Sequence, residues 1–254
     1  MVASWQRAVA KVADGGPRMP RDPGVQPLPP ELEERAKAIA ATARFQFLLG
    51  AANPSFGLLS LDHLISIQKM IYTDGDQLLA LTSNELAEVF TVAIPDPPPK
   101  LVPVVKDQSA NSYTVASENP NLRVGGMVDA EVSVATANGA QMPINVHGFF
   151  VTNGGPWMQA AQFQGRWLLR DGYHRAYALL TRGITRVPCV IVQISTLQDL
   201  GAVRPGFVGG EVLLGDRPPL VADFVDESRS VPGSVLPTRK VIRIRAEEFL
   251  IVDS

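Results

Sequence analysis

The sequence predicts an α+β fold, and three observations carry that reading. Across residues 30–90 the apolar side chains recur at helical spacing, whereas from residue 101 they alternate or run in short blocks bounded by turn residues. Pro95, Pro97, Pro98 and Pro99 mark the change. Beyond them one helix stands out, with Ala176, Leu179 and Leu180 on one face and Gly183 as its stop, set among strands. The division that follows is a flexible arm over 1–29, a helical extension over 30–99 and a β-rich domain over 100–254.

In the arm, residues 2–13 form a short helix or extended arm, then Gly15-Gly16-Pro17 opens a connector. Its Arg7, Lys11, Arg18 and Arg21 suit an acidic partner, and a solvated tail is the plainer reading. A helix is expected over 30–49. Pro30 fits its first turn, Glu31, Glu33 and Glu34 complement its dipole, and Leu32, Ala36, Ile39, Ala40 and Ala43 make a core-facing stripe. A second helix is expected through His63, Leu64, Ile65 and Met70, capped by Ser60 or Asp62. Asp74-Gly75-Asp76 is a turn that lacks the later ligands of a calcium loop. Thr82 and Glu85 have capping-box spacing, so a third helix runs through Leu86 and Phe90.

Strands are expected at 101–105, 113–116 and 131–136, with Asn138-Gly139 closing a hairpin between 130–137 and 142–150. A turn at 153–156 leads into a strand at 157–163, Gln164-Gly165 turns the chain back, and 167–169 forms the next strand. The motif helix follows, then a buried strand over 187–192. Residues 195–200 read as a helical turn, 220–225 as a short helix or strand, 241–245 as a strand, and 249–252 as a closing strand. Neither internal repeats nor low-complexity blocks occur.

A chain of 254 residues with 46% hydrophobic and 19% charged residues has the composition of a soluble globular protein with a substantial core. A net charge of −2 opposes general nucleic-acid binding. The single Cys189 excludes an intramolecular disulfide and a multi-cysteine metal site, which fits a reducing cytoplasm. Residues 1–21 lack the apolar core of a signal peptide, and no apolar run is long enough for a membrane span, so a cytoplasmic protein is expected. His63, His147 and His174 have no metal-ligand spacing, and Walker-type, Gly-x-Gly-x-x-Gly and Gly-x-Ser-x-Gly motifs are absent.

The one concentrated site is Asp171-Gly172-Tyr173-His174-Arg175, between a strand and a helix. Unpaired N–H groups at a helix start carry partial positive charge, and His174 and Arg175 add side-chain donors, so the turn suits an anion. Asp171 capping the helix, with surface His174 and Arg175, is the plainer alternative. Trp157 and Trp167 read as core or sheet rim, with base stacking as the sharper alternative.

Asp-Gly-Tyr-His-Arg, an Ala/Leu-rich helix, Gly183 and the strand led by Val187-Pro188 together resemble the core of the ParB/sulfiredoxin superfamily. The likeness is specific over roughly 30 residues. It implies a β-rich core whose turn and helix hold nucleotide phosphates, with Gly172, Tyr173, His174 and Arg175 as the nucleotide-binding residues and Asp171 as the catalytic candidate. It further implies a nucleoside triphosphate such as ATP or CTP, arriving with Mg²⁺, and hydrolysis or phosphoryl transfer to a small substrate. Tyr173 occupies the place of the reactive cysteine of sulfiredoxins, which opposes that activity. Chromosome-segregation members carry Glu-Arg-Arg at this turn and a helix-turn-helix after it; Tyr-His-Arg and Gly/Pro-rich segments stand here instead. Two alternatives stay open: a non-catalytic or nucleotide-gated module whose N-terminal helices dock a protein partner, and a DNA-associated relative.

Overall fold

A computed structural model of the chain describes residues 20–71, 73, 81–96, 105–109, 112–117, 122–153, 155–200, 207–233 and 240–250. The fold is α+β, with helices and mixed sheets. Two compact units divide it, Met1–Pro99 with Gly155–Ser234, and Lys100–Gly154 with Val235–Ser254.

In the first unit the expected helix over 30–49 is two helices, α1 (Pro30–Ala40) and α2 (Ala43–Leu49). Thr42 causes the break. Its backbone is extended, at φ −68° and ψ 141°, and its hydroxyl oxygen accepts the Phe45 N–H at 3.3 Å, capping α2. Leu32, Ala36 and Ile39 are buried on the predicted stripe.

The helix expected from Ser60 or Asp62 is not formed. The chain makes β1 (Ser55–Ser60), a 3-10 turn at Leu61–His63 and β2 (Ile65–Ser66). Ser60 Oγ donates to Asp62 Oδ1 at 2.7 Å instead of capping a helix. Leu58, Leu59, Leu61, Leu64, Ile65 and Ile67 are all buried, a density of apolar contacts that one amphipathic helix face does not require. The third helix is present as α3 (Leu86–Ala93). In its first turn the Glu88 carboxylate accepts the Thr82 hydroxyl at 2.7 Å and the N–H groups of Ser83 at 2.8 Å and Thr82 at 2.9 Å; these bonds, the hydroxyl first, hold Glu88 below the usual carboxylate pKa.

The motif supplies β7 (Gln159–Phe163), β8 (Arg166–Asp171), α4 (Tyr173–Thr181) and β9 (Arg186–Gln193). They enter a five-stranded sheet of order β1-β9-β7-β8-β2. β1 pairs antiparallel with β9, β7 parallel with β9 and antiparallel with β8, and β2 parallel with β8. Residues 30–99, expected as a helical extension, thus supply both outer strands of the motif's own sheet. β9 has six consecutive buried residues, and while β7 covers one of its flanks the other needs β1, a strand that the motif segment does not contain. α3 packs against β9 and α4 against a 3-10 turn at Val221–Val225. A further short helix, α5, spans Gly210–Leu213.

The second unit holds a three-stranded sheet, β10-β4-β3, from β3 (Val105–Ser109), β4 (Ser112–Ser117) and β10 (Lys240–Arg245). Beside it stands a ribbon of β5 (Leu122–Ala135) and β6 (Gln141–Asn153), paired antiparallel. The Asn138-Gly139 hairpin is present, closed by Thr136 N–H on Ala140 O at 2.8 Å, with Gly139 in the left-handed region at φ 81°. Among the described residues the large hydrophobic core lies in the first unit, while Val115 and Leu122 are the buried apolar residues of the second. Residues 249–250 are not in a strand. The expected turn at 74–76, the start of the 101–105 strand, the end of the 249–252 strand and most of the arm lie outside the described residues. No described helix is long and apolar enough to cross a membrane.

Candidate functional site

The candidate site begins where β8 ends. Asp171 stands opposite Gln159 of β7, with a register shift beside it that places Arg170 in a bulge. Gly172 then adopts φ 97° and ψ 23° at the N-cap of α4. A Cβ there would lie 2.6 Å from Met158 Cγ and 3.1 Å from Met158 Cα. The glycine is therefore fixed twice, by its backbone angle and by the close crossing of the Met158 chain.

Asp171 Oδ1 accepts the Gly172 N–H at 2.7 Å. The helix opens with Ala176 N–H on Gly172 O at 2.9 Å, and no side chain caps this end. The start of α4 accordingly presents the positive end of a helix dipole, with the Asp171 carboxylate on the N–H of its N-cap residue.

Tyr173 points inward. Its buried hydroxyl donates to Leu169 O and accepts the Ile67 N–H at 2.8 Å, and its ring meets Phe224 edge-on at 6.3 Å. Burial pushes the phenol pKa well above its ordinary value. The side chain ties α4 to β8 and to the chain after β2; at the turn Tyr173 offers its backbone.

His174 is half-buried. Burial, and then the neighbouring Arg175 cation, lower its pKa, and Asp171 acts in the opposite direction. Its imidazole is therefore neutral at physiological pH. Arg175 has an internal task. Its Nη1 donates to Val92 O at 3.3 Å, Ala93 O at 3.1 Å and Pro156 O. Val92 and Ala93 end α3, whose last carbonyls lack intrahelical donors, so Arg175 closes that helix from the first turn of α4. Burial shifts the guanidinium pKa downward.

The five expected residues are thus contiguous in space, with unequal duties. Gly172 and Tyr173 build the turn, Arg175 ties it to α3, and Asp171 holds the Gly172 N–H. His174 is the imidazole at the helix start. Sequence reasoning missed the carbonyl-capping role of Arg175 and two similar arginines. Arg166 donates to Leu213 O, Leu214 O and Gly215 O at 2.7–3.0 Å, and Arg182 donates to Leu81 O at 2.9 Å. Their partners lie 47 or more residues away, so no local pattern signals them.

The remaining candidates have ordinary places. His63 Nδ1 bonds Asp22 O at 2.9 Å, and His147 pairs with Asp129 on the β5–β6 ribbon of the second unit. Cys189 is buried in β9, its thiol pushed up to about 12 by burial, which removes its nucleophilic form. Trp157 is buried edge-on against Phe45 at 4.8 Å, and its Nε1 has no hydrogen-bond partner among the described residues. Trp167 is half-buried and lines a cavity of about 160 Å³ with Arg21, Asp22 and Gln162. Among the described residues no group of three or more His, Cys, Asp or Glu side chains is placed to hold a metal ion. No protein-family model, curated protein or solved structure matches the chain.

Proposed function

We propose that the chain is a ParB/sulfiredoxin-like nucleotide-binding protein whose turn at 171–175 takes the phosphates of a nucleoside triphosphate. The carrying observation is the start of α4. It has a left-handed Gly172, no side-chain cap, and a neutral, half-buried His174 within the first turn. Backbone amides there receive phosphate oxygens, and His174 donates once protonated. Arg175 adds charge close by while its Nη1 remains on the α3 carbonyls.

Mg²⁺ enters with the nucleotide, held mainly by phosphates and water, with Asp171 the carboxylate at the turn. Hydrolysis or phosphoryl transfer at such a site is a matter of positioning and charge stabilisation. Asp171 would be the group that orients the attacking oxygen. The non-catalytic reading, nucleotide-gated docking of a protein partner, is supported by the structural tie from Arg175 to α3.

The test is a thermal-shift panel of ATP, CTP, GTP and UTP with and without Mg²⁺, beside His174→Ala. A ligand at about 100 times its dissociation constant stabilises by roughly 2.7 kcal/mol. A shift with one nucleotide that shrinks in the variant is expected. Equal shifts in both proteins would remove His174 from the site.

A further inference from the structure

The chain leaves the first unit after Pro99 and re-enters it at Gly155. Shortly before the exit α3 ends with Val92 and Ala93, and directly after the return stand Pro156 and Met158. These two passages form the neck of the second unit. One backbone bond joins them, Met158 N–H on Ala93 O at 2.8 Å. Arg175 joins them again: its Nη1 donates to Val92 O at 3.3 Å and Ala93 O at 3.1 Å on the outgoing passage, and to Pro156 O on the returning one. One side chain from the first turn of α4 thus staples both sides of the neck. Burial disfavours its cation, and the carbonyls around Nη1 carry no net charge to offset it. None of the three bonds uses Nη2 or Nε, the edge of the planar fork that suits a bidentate phosphate. Arg182, at the C-cap of α4, donates instead to Leu81 O at 2.9 Å, on the N-terminal side of α3.

We propose, resting on the reading that the turn at 171–175 takes nucleotide phosphates, that Arg175 makes the neck of the second unit respond to that site. A phosphate on the Nε–Nη2 edge holds the guanidinium from the side away from its carbonyl partners and fixes it against them. It also supplies the negative charge that those carbonyls lack, which favours the buried cation in place. Occupancy therefore stiffens the outgoing and returning passages together. By linkage, a stiffer neck tightens the site in return. What the nucleotide regulates is the attachment of the chain's own second unit.

Hydrogen exchange of the full chain, with and without saturating Mg·ATP or Mg·CTP, tests the proposal. Peptides over 89–96 and 156–160 report the neck, 172–178 the turn, and Ser55–Ser60 in β1 the background. With a nucleotide that protects the turn, the neck should exchange about fivefold more slowly, the low end of ordinary coupling between sites, and β1 should not change. In Arg175→Lys, compared at nucleotide concentrations that protect the turn equally, the neck response should disappear, because a point-charge ammonium lacks the fork that spans both partners. Arg182→Gln cuts the other tie from α4 and should retain the response. A protected turn with unchanged or faster neck exchange in the parent protein would overturn the inference and leave the nucleotide reading standing. So would a neck response that survives in Arg175→Lys or vanishes in Arg182→Gln. No protection of the turn by either nucleotide would remove the nucleotide reading, and the inference with it.

Discussion

At the residue scale, a side chain's type indicates what it offers and its neighbours decide where the offer goes. Arg175 has the planar fork of a phosphate ligand, yet its Nη1 serves the carbonyls of Val92, Ala93 and Pro156. Arg175→Ala should leave these carbonyls short of donors and destabilise the fold by about 1–3 kcal/mol, measured by urea unfolding. An unchanged midpoint would show that the contacts carry no stability. Gly172→Ala forces an L side chain to φ 97° and onto Met158, so a loss of about 2 kcal/mol or more is expected in the same assay. His174 sets a pH dependence. Its pKa is lowered in the folded chain, so below about pH 6.5 the unfolded chain binds the proton first. Stability then falls as pH falls through that window. His174→Asn should flatten the slope between pH 7.5 and 5 relative to the parent, and parallel slopes would contradict the assignment.

At the element scale, the segments that read correctly were those closed by local chemistry. The motif helix ends as its sequence predicts. Gly183 sits at φ 74°, its N–H bonds Leu180 O at 2.9 Å, and the Ile184 N–H bonds Leu179 O at 2.9 Å, a Schellman arrangement. Gly183→Ala should cost about 1 kcal/mol, read from the thermal midpoint; no change would mean the helix end is not set by that glycine. Gln164-Gly165, both at positive φ, likewise turn β7 into β8 as expected. The segment 55–67 misled because Ser60 and Asp62 resemble caps, while the neighbouring apolar residues are buried on every side by β9 and β8, partners more than 100 residues away. Thr42 misled in the opposite way, as a capping residue hidden inside an otherwise continuous stripe.

At the scale of the whole molecule, the residues of the motif turn were legible from their contiguity, and the chain's division was not. The proline run at 95–99 does mark a boundary, but the motif's sheet takes β1 and β2 from before it, and the second unit is assembled from 100–154 and 235–254. Pairings of such range depend on which strand completes β9 and β8, and no local spacing encodes that. The concentration of the large core in the first unit leads to a hydrogen-exchange pattern. Amides of β7 and β9 should exchange far more slowly than those of the outer β5–β6 ribbon in dilute protein. Comparable protection in both would contradict the core's placement.

The most direct measurement is a calorimetric titration of the full chain with Mg·ATP and Mg·CTP at pH 7, in two buffers of different ionisation enthalpy. Phosphate at the start of α4 should raise the lowered His174 pKa, so one nucleotide should bind at a single site with net proton uptake. That uptake should vanish in His174→Ala. Saturable binding with the same proton count in the variant would place the nucleotide elsewhere, and no binding of either nucleotide would remove the proposed function of the turn.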